Sequence, residues 1–211
     1  MCQRNNVSFV CCCIRSALGM WSFCSNLTAP TILIFRQQEV SSPLTSVSMT
    51  RILLQKSEDL LPQVEGILSR LFARLTTLAP DAELHHIGAT AVPGTLTKGD
   101  LDVMLGVPAA RFTAVTVVLK QNFVIKQREN WTPDFASFGD DSGFELPVGI
   151  QLIAKDSATD FLLYLRDYLI ARPEAVREYN ALKVRHAPGG SESYWKAKDE
   201  FFAKILAARR R

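Results

Sequence analysis

His86-Ile87-Gly88-Ala89-Thr90-Ala91-Val92-Pro93-Gly94 and, shortly after, Asp100-Leu101-Asp102-Val103-Met104-Leu105-Gly106-Val107 form the most informative stretch of the chain. In the second part Leu101, Val103, Leu105 and Val107 alternate with Asp100, Asp102 and Met104. A period of two puts the first set on one face of a strand and the second on the other. One face is apolar; the other carries two carboxylates at i and i+2, about 6–7 Å apart along the chain. That spacing lets both reach one divalent cation or a pair of them. Mg²⁺ takes hard oxygen ligands, commonly one or two carboxylates plus substrate phosphates. The glycine-containing turn just upstream frees backbone N–H groups to approach such phosphates. Metal and turn together would clamp a nucleoside triphosphate for in-line attack at the α-phosphate. An acid pair on a strand is also a common solvated face, so the residues alone leave both readings open.

Outward from this strand the pattern alternates. Leu60, Leu61, Val64, Ile67, Leu68, Leu71 and Leu75 recur at helical spacing after Ser57-Glu58-Asp59, which reads as a helix start, and Pro80 ends the element. Glu83–Ile87 reads as a strand running into the loop with Gly88, Pro93, Gly94 and Gly99. A helix follows from Pro108 to about Lys120, then strands at Phe123–Lys126 and Phe135–Phe138. After the Gly139–Gly143 turn, Phe144, Leu146, Val148, Ile150 and Leu152 alternate, which predicts a strand over Phe144–Ala154. The last third is helical. Phe161, Leu162, Leu165 and Leu169 form a stripe that stops before Pro173, Glu174–Arg185 is a second helix, and a third starts near Ser191. The order predicts an α+β fold: a mixed sheet with flanking helices and a C-terminal helical section from about residue 157.

Composition narrows the class. With 24 basic and 21 acidic residues among 211, the chain is neither a basic nucleic-acid coat nor an acidic tail protein, and 47% hydrophobic content is too high for disorder. No apolar run reaches the roughly 18–20 residues of a membrane span, so a soluble, cytoplasmic protein is expected. All five cysteines lie at Cys2, Cys11, Cys12, Cys13 and Cys24, a spacing that does not give a tetrahedral metal site. Residues 1–48 carry only Arg4, Arg15, Arg36 and Glu39, which leaves 21 basic and 20 acidic residues to 49–211. We expect 1–48 to be a poorly ordered extension, with a targeting peptide as the next reading, and Met49 to open the domain at 49–211. A nearly neutral domain lacks the basic face of a nucleic-acid binder. The Walker P-loop order, the dinucleotide G-x-G-x-x-G and H-E-x-x-H are all missing.

The run His86 to Gly94, then Lys98-Gly99-Asp100-Leu101-Asp102, resembles the GrpB family, also called UPF0157. Leu165-Arg166-Asp167-Tyr168-Leu169, Pro173, Tyr179, Leu182-Lys183 and Tyr194-x-x-x-Lys198-x-x-Phe201 resemble that family's helical section. The resemblance covers roughly 55–210 and implies the nucleotidyltransferase fold, whose signature is Gly-Ser, a spacer, then acid-x-acid. It implies Mg²⁺ as cofactor on Asp100 and Asp102, a nucleoside triphosphate as ligand, and a small-molecule or protein hydroxyl as acceptor. The family's serine is Ala89 here, with Thr90 beside it as a substitute hydroxyl. The third acid that the fold usually supplies aligns with the neutral Gln151, and Glu145 lies about 20 Å away along the same expected strand face.

The substrate side of the site is then expected to involve His86, Gly88, Ala89, Thr90, Lys98, Gln151, Arg166 and Lys183. His86 reads equally as a substrate contact or a hydrogen-bonded strand-end histidine. Lys98 neutralises phosphate or is solvated. Arg166 reaches phosphate or pairs with Asp167. Trp131 stacks on a base or fills the interior. Two functions follow: a Mg²⁺-dependent nucleotidyltransferase, favoured by Asp100 and Asp102, or a nucleotide-binding or interaction module without chemistry, favoured by Ala89 and Gln151.

Because residues 1–48 show no sustained period, a chain begun at Met49 is expected to melt at nearly the temperature of the full chain. A drop of many degrees in a thermal melt would show that the segment packs on the domain.

Overall fold

In a computed structural model that describes residues 52–141 and 143–209, the chain order is β1 (Gln55–Lys56), a 3₁₀ turn, α1 (Leu61–Leu78), β2 (Glu83–Ile87), β3 (Leu96–Thr97), β4 (Leu101–Val107), α2 (Ala109–Asn122), β5 (Val124–Lys126), β6 (Phe135–Asp140), β7 (Val148–Ala154), α3 (Leu162–Ile170), α4 (Pro173–His186) and α5 (Gly190–Arg209). The expectations for 1–48 and for Met49 lie outside the described residues. Five strands form one sheet in the order β2-β4-β7-β6-β5, and β1 with β3 makes a separate ribbon. The two central strands, β4 and β7, run parallel, while every other neighbour pair in the sheet is antiparallel.

Both faces of the sheet are covered, and strand alternation decides what each face holds. Leu101, Val103, Leu105 and Val107 of β4, with Val148, Ile150 and Leu152 of β7, pack against Val64, Ile67, Leu71 and Leu75 of α1 and Phe112, Val115 and Leu119 of α2. The opposite face contributes Met104, Ile153 and Phe135 to a second core, closed by Leu162, Leu165 and Leu169 of α3, Val176 and Tyr179 of α4, and Phe201, Phe202 and Ile205 of α5. A smaller cluster of Ala187, Tyr194 and Trp195 is covered by Ile52 and Leu54 at the start of the described chain. The expected mixed sheet with flanking helices and a C-terminal helical section is the observed architecture.

Several boundaries differ from the sequence reading by a few residues, and at two of them a proline is the cause. Alternation carried the last strand back to Phe144, but β7 begins at Val148. Pro147 has no N–H to give the ladder, and its carbonyl instead accepts from Leu101 N at 2.9 Å. Glu145 is therefore not on the strand; it pairs with Arg70 on the surface. The first helix also starts later, at Leu61, because Pro62 fits only its first turn and Ser57–Leu60 forms the 3₁₀ turn instead.

Leu105 is fully buried on the central strand, whereas Val117 on α2 is 51% exposed. Leu105→Ala is expected to cost about 2–5 kcal/mol in urea unfolding, and Val117→Ala to stay within about 0.5 kcal/mol of wild type. Comparable losses would mean that β4 is not the centre of the core.

Candidate functional site

The turn after β2 and the start of β4 meet at one point. Ile87 pairs with Asp102 on one side and Gly149 pairs with it on the other, so the Asp102 side chain rises between β2 and β7 on the face toward α3–α5. Gly88 lies directly over it with φ +76°; a Cβ there would sit 2.6 Å from Asp102 Oδ2 and 2.9 Å from Asp102 Cβ. Only glycine tolerates both that dihedral and that approach. Asp102 as a residue is half-buried, but its Oδ1 is out of reach of solvent and has no hydrogen-bond partner. Burial first, and the charge of Asp100 second, push its carboxyl up to about 7; Lys98 and Lys198 only partly offset this. Asp100, one pleat earlier, accepts from Lys98 Nζ at 2.9 Å.

The cleft above this pair is closed by helix faces. On α3, Leu162, Leu165, Arg166 and Leu169 follow i, i+3, i+4, i+7; on α4, Tyr179 and Lys183 are i, i+4; on α5, Tyr194, Lys198 and Phe202 are i, i+4, i+8. Each set lies along one side of its helix, which is why these residues share a cavity. The charged lining is Lys98, Arg166, Lys183 and Lys198 against Asp100 and Asp102. Lys183 is buried, with Nζ donating to the Leu96 carbonyl and standing 3.8 Å from the Tyr179 ring centroid. Lys198 lies over the Trp195 ring at 4.5 Å. Arg166 straps the helical section to the sheet: Nη1 donates to the His86 carbonyl at 3.0 Å and Nη2 pairs with Asp167 at 2.7 Å.

Of the residues expected from sequence, Gly88, Ala89, Lys98, Asp100, Asp102, Gln151, Arg166 and Lys183 line this cleft together. His86 and Thr90 are not in that lining. His86 pairs with Val103, so alternation sends its side chain toward the opposite face of the sheet. Its Nε2 meets Thr90 Oγ1 at 2.9 Å, and burial, then the nearby Arg166 charge, lowers its pKa to about 4, leaving it neutral. Thr90 is buried and its hydroxyl is taken up by that bond, so it does not replace the hydroxyl missing at Ala89. Trp131 belongs to the α1/α2 side of the sheet, 5.0 Å from Phe138, with Nε1 donating to the Lys126 carbonyl. It is half-buried at the edge of that core, across the sheet from the cleft. His186, at the end of α4, meets Ser193 Oγ at 2.8 Å.

Lys198, Tyr194, Tyr179 and Phe202 received no role from the sequence. The signal was present in the four-residue spacing of Tyr194, Lys198 and Phe202, but nothing local says that this face meets Asp102. Among the described residues no group of three or more His, Cys, Asp or Glu could hold a metal ion. Asp100 and Asp102 could supply hard oxygens to Mg²⁺ only together with oxygens of a ligand. The partnerless Oδ1 of Asp102 suits that role.

The chain is similar to several known proteins. The family profile described as GrpB protein matches residues 57–208. A UPF0157 protein of Vibrio cholerae is 30% identical over 152 residues, spanning 72% of this chain and 80% of its own. The crystal structure of the conserved protein GrpB from Enterococcus faecalis superposes with a TM-score of 0.55 at 18% identity, over 73% of this chain and 99% of that one. The MgGTP-bound Cid1 poly(U) polymerase is a more distant neighbour, with a TM-score of 0.46 at 14% identity over 63% of this chain and 43% of its own. At that level the likeness says nothing about chemistry here.

The raised pKa of Asp102 has a definite sign. In the unfolded chain its carboxyl ionises near 3.8 and in the fold near 7. Its protonated form stabilises the fold most at low pH, and that contribution is lost as pH rises through about 7. Asp102→Asn cannot ionise, so without metal it is expected to melt above wild type by a margin of several degrees at pH 8 that shrinks toward pH 5. A margin that is constant, or that reverses, in paired melts at those pH values would place the carboxylate in a paired rather than a desolvated setting.

Proposed function

The chain belongs to the GrpB protein family, and from that premise we propose that it is a Mg²⁺-dependent nucleotidyltransferase that moves a nucleoside monophosphate onto a hydroxyl acceptor. The observation that carries the reading is the Asp102 carboxylate, buried beside Asp100 under a side-chain-free turn and faced by cations from three helices. An isolated buried carboxylate is costly unless something it binds offsets the cost. Mg²⁺, when bound, supplies charge neutralisation on phosphate oxygens and polarises the α-phosphate. Asp100 and Asp102 would hold it. Lys98, Lys198 and Arg166 would bind the anionic chain of phosphates, and Lys183 adds its charge while fixing the Leu96 carbonyl. Gly88 and Ala89 let the backbone approach closely. In the transfer, the acceptor oxygen would bond to the α-phosphorus as the α-phosphorus–pyrophosphate oxygen bond breaks, with pyrophosphate leaving and the hydroxyl proton passing to solvent water.

A second reading, a nucleotide-binding or interaction module without transfer, is favoured by three features. Position 89 has no hydroxyl, the Thr90 hydroxyl is turned to His86, and Gln151 is neutral. Pyrophosphate release with candidate acceptors separates the two. Among the described residues no helix is long and apolar enough to cross a membrane, and neither reading calls for one.

Wild type is expected to gain several degrees in melting temperature with Mg²⁺ and ATP or GTP together, and little with either alone. Asp102→Asn keeps its volume and its fold but is expected to lose at least tenfold in Mg²⁺-dependent nucleotide affinity. A wild type with no Mg²⁺-nucleotide shift, alongside a variant destabilised without ligand, would overturn the nucleotidyltransferase reading.

A further inference from the structure

Gln151 lines the cleft on β7, across from Met104 of β4 and Ser137 of β6. Its residue is fully buried, yet neither Nε2 nor Oε1 has a hydrogen-bond partner. Ser137 is equally buried, and its Oγ is also without a partner. Directly opposed residues on neighbouring antiparallel strands hold their Cβ atoms about 4.5–5.5 Å apart. An amide and a hydroxyl therefore lie side by side on the sheet face that also carries Met104, Phe135 and Ile153, and Gln151 is the member of the pair that lines the cleft. Buried polar atoms are almost always paired, because losing water without a replacement bond is costly. Leucine at 151 would fit the surrounding core better. Gln151 is placed where a group entering the cleft can meet it.

The chemistry of that group can be narrowed. Gln151 and Ser137 are uncharged, and an amide and a hydroxyl each donate and accept, so the group that suits them does both, as a hydroxyl does. Location narrows it further. Asp102 pairs with Gly149, and Gln151 is two residues further along the same strand. Strand spacing of about 4.8 Å and rise of about 3.3 Å per residue put the two α-carbons roughly 8 Å apart. On the nucleotidyltransferase reading, a group this close to the carboxylates that would hold Mg²⁺ sits beside the phosphates, not at the distant base. We propose that Gln151, with Ser137 beside it on β6, forms a hydroxyl-binding subsite in the cleft floor. Gln151 is thus a specificity residue and not a vacant third metal ligand. The hydroxyl belongs either to the sugar of the nucleotide or to the acceptor alcohol. Only this last identification rests on the nucleotidyltransferase reading; the subsite itself does not.

The test uses the full chain labelled with ¹⁵N, following the side-chain NH₂ signals of Gln151, assigned by their loss in Gln151→Leu. The probes are Mg²⁺ with ATP, 2′-deoxy-ATP or 3′-deoxy-ATP, and separately glycerol as a bare alcohol. The expected result is a shift with MgATP that shrinks with one deoxy form, accompanied by an affinity loss of about tenfold in Gln151→Leu and Ser137→Ala. That result assigns the sugar hydroxyl. Equal shifts with all three nucleotides and a further shift with glycerol support the subsite and assign the acceptor hydroxyl. A shift with glycerol but none with any nucleotide keeps the subsite and sinks the nucleotide reading. No shift with any probe, or a nucleotide affinity unchanged in both variants together with no shift from glycerol, overturns the subsite and leaves only a resident water there. Gln151→Leu is also expected to melt above wild type without ligand, and Ser137→Ala no lower than wild type. A fall of many degrees in both would show that the pair is bonded within the fold, which also overturns the proposal. In Gln151→Glu, Mg²⁺ affinity is expected to stay within about twofold; a tenfold rise would make position 151 a metal ligand after all.

Discussion

The contact between Gly88 and Asp102 governs the rest of the site. A strand with covered faces has nowhere to put a carboxylate except between its neighbours, and Asp102 rises between β2 and β7 because the residue above it has no side chain. Any Cβ at position 88 would collide with the carboxylate, and the positive φ there excludes most residues on backbone grounds alone. This one approach fixes where the turn enters, how deep the acid lies and why its carboxyl resists ionisation. The ladder below it supplies the rigidity. β4 and β7 are paired through seven residues each, so Asp102 stands on a fully laddered strand and Asp100 directly before it.

The helical section then turns an acidic strand end into a cleft of mixed charge. Each of α3, α4 and α5 contributes one cation among apolar neighbours: Arg166 beside Leu165 and Leu169, Lys183 beside Tyr179, Lys198 beside Phe202. The aliphatic stems of these residues cover apolar surface while their heads reach the polar centre. Arg166 also bonds to the His86 carbonyl, so the lid and the sheet are joined within a few residues of the acids. Packing and charge placement are thus carried by the same side chains.

Family membership and the site carry different weights. The shared architecture with the Enterococcus faecalis protein accounts for the order of elements, and the Vibrio cholerae relative shows that most of this chain is family sequence. Neither assigns a reaction. What argues for chemistry is that polar atoms of Asp102, Gln151 and Ser137 are out of reach of solvent without a hydrogen-bond partner. Cores that hold such groups give up stability, and such departures from good packing concentrate at functional sites.

Much of this was legible along the chain. The alternation of β4, the carboxylates on its second face, the glycine turn and the three C-terminal helices are local patterns with periods of two and 3.6, and they survive in any packing. Where a local rule conflicted with a backbone requirement, the backbone won: Pro147 cut the alternating run at Phe144–Pro147 off from β7, and Glu145 went with it to the surface. His86 and Thr90 sit inside the motif, but β2 pairs antiparallel with β4 in a register that turns His86 away from the cleft, and register is set between strands. Lys198 and Phe202 are nearly 100 residues from Asp102 in sequence, and their spacing shows only that they share a face. The sequence by itself therefore determined which side chains travel together on one face of one element. Only the tertiary structure decided which faces meet, because that depends on strand register and helix docking, which are settled by burial summed over the whole core.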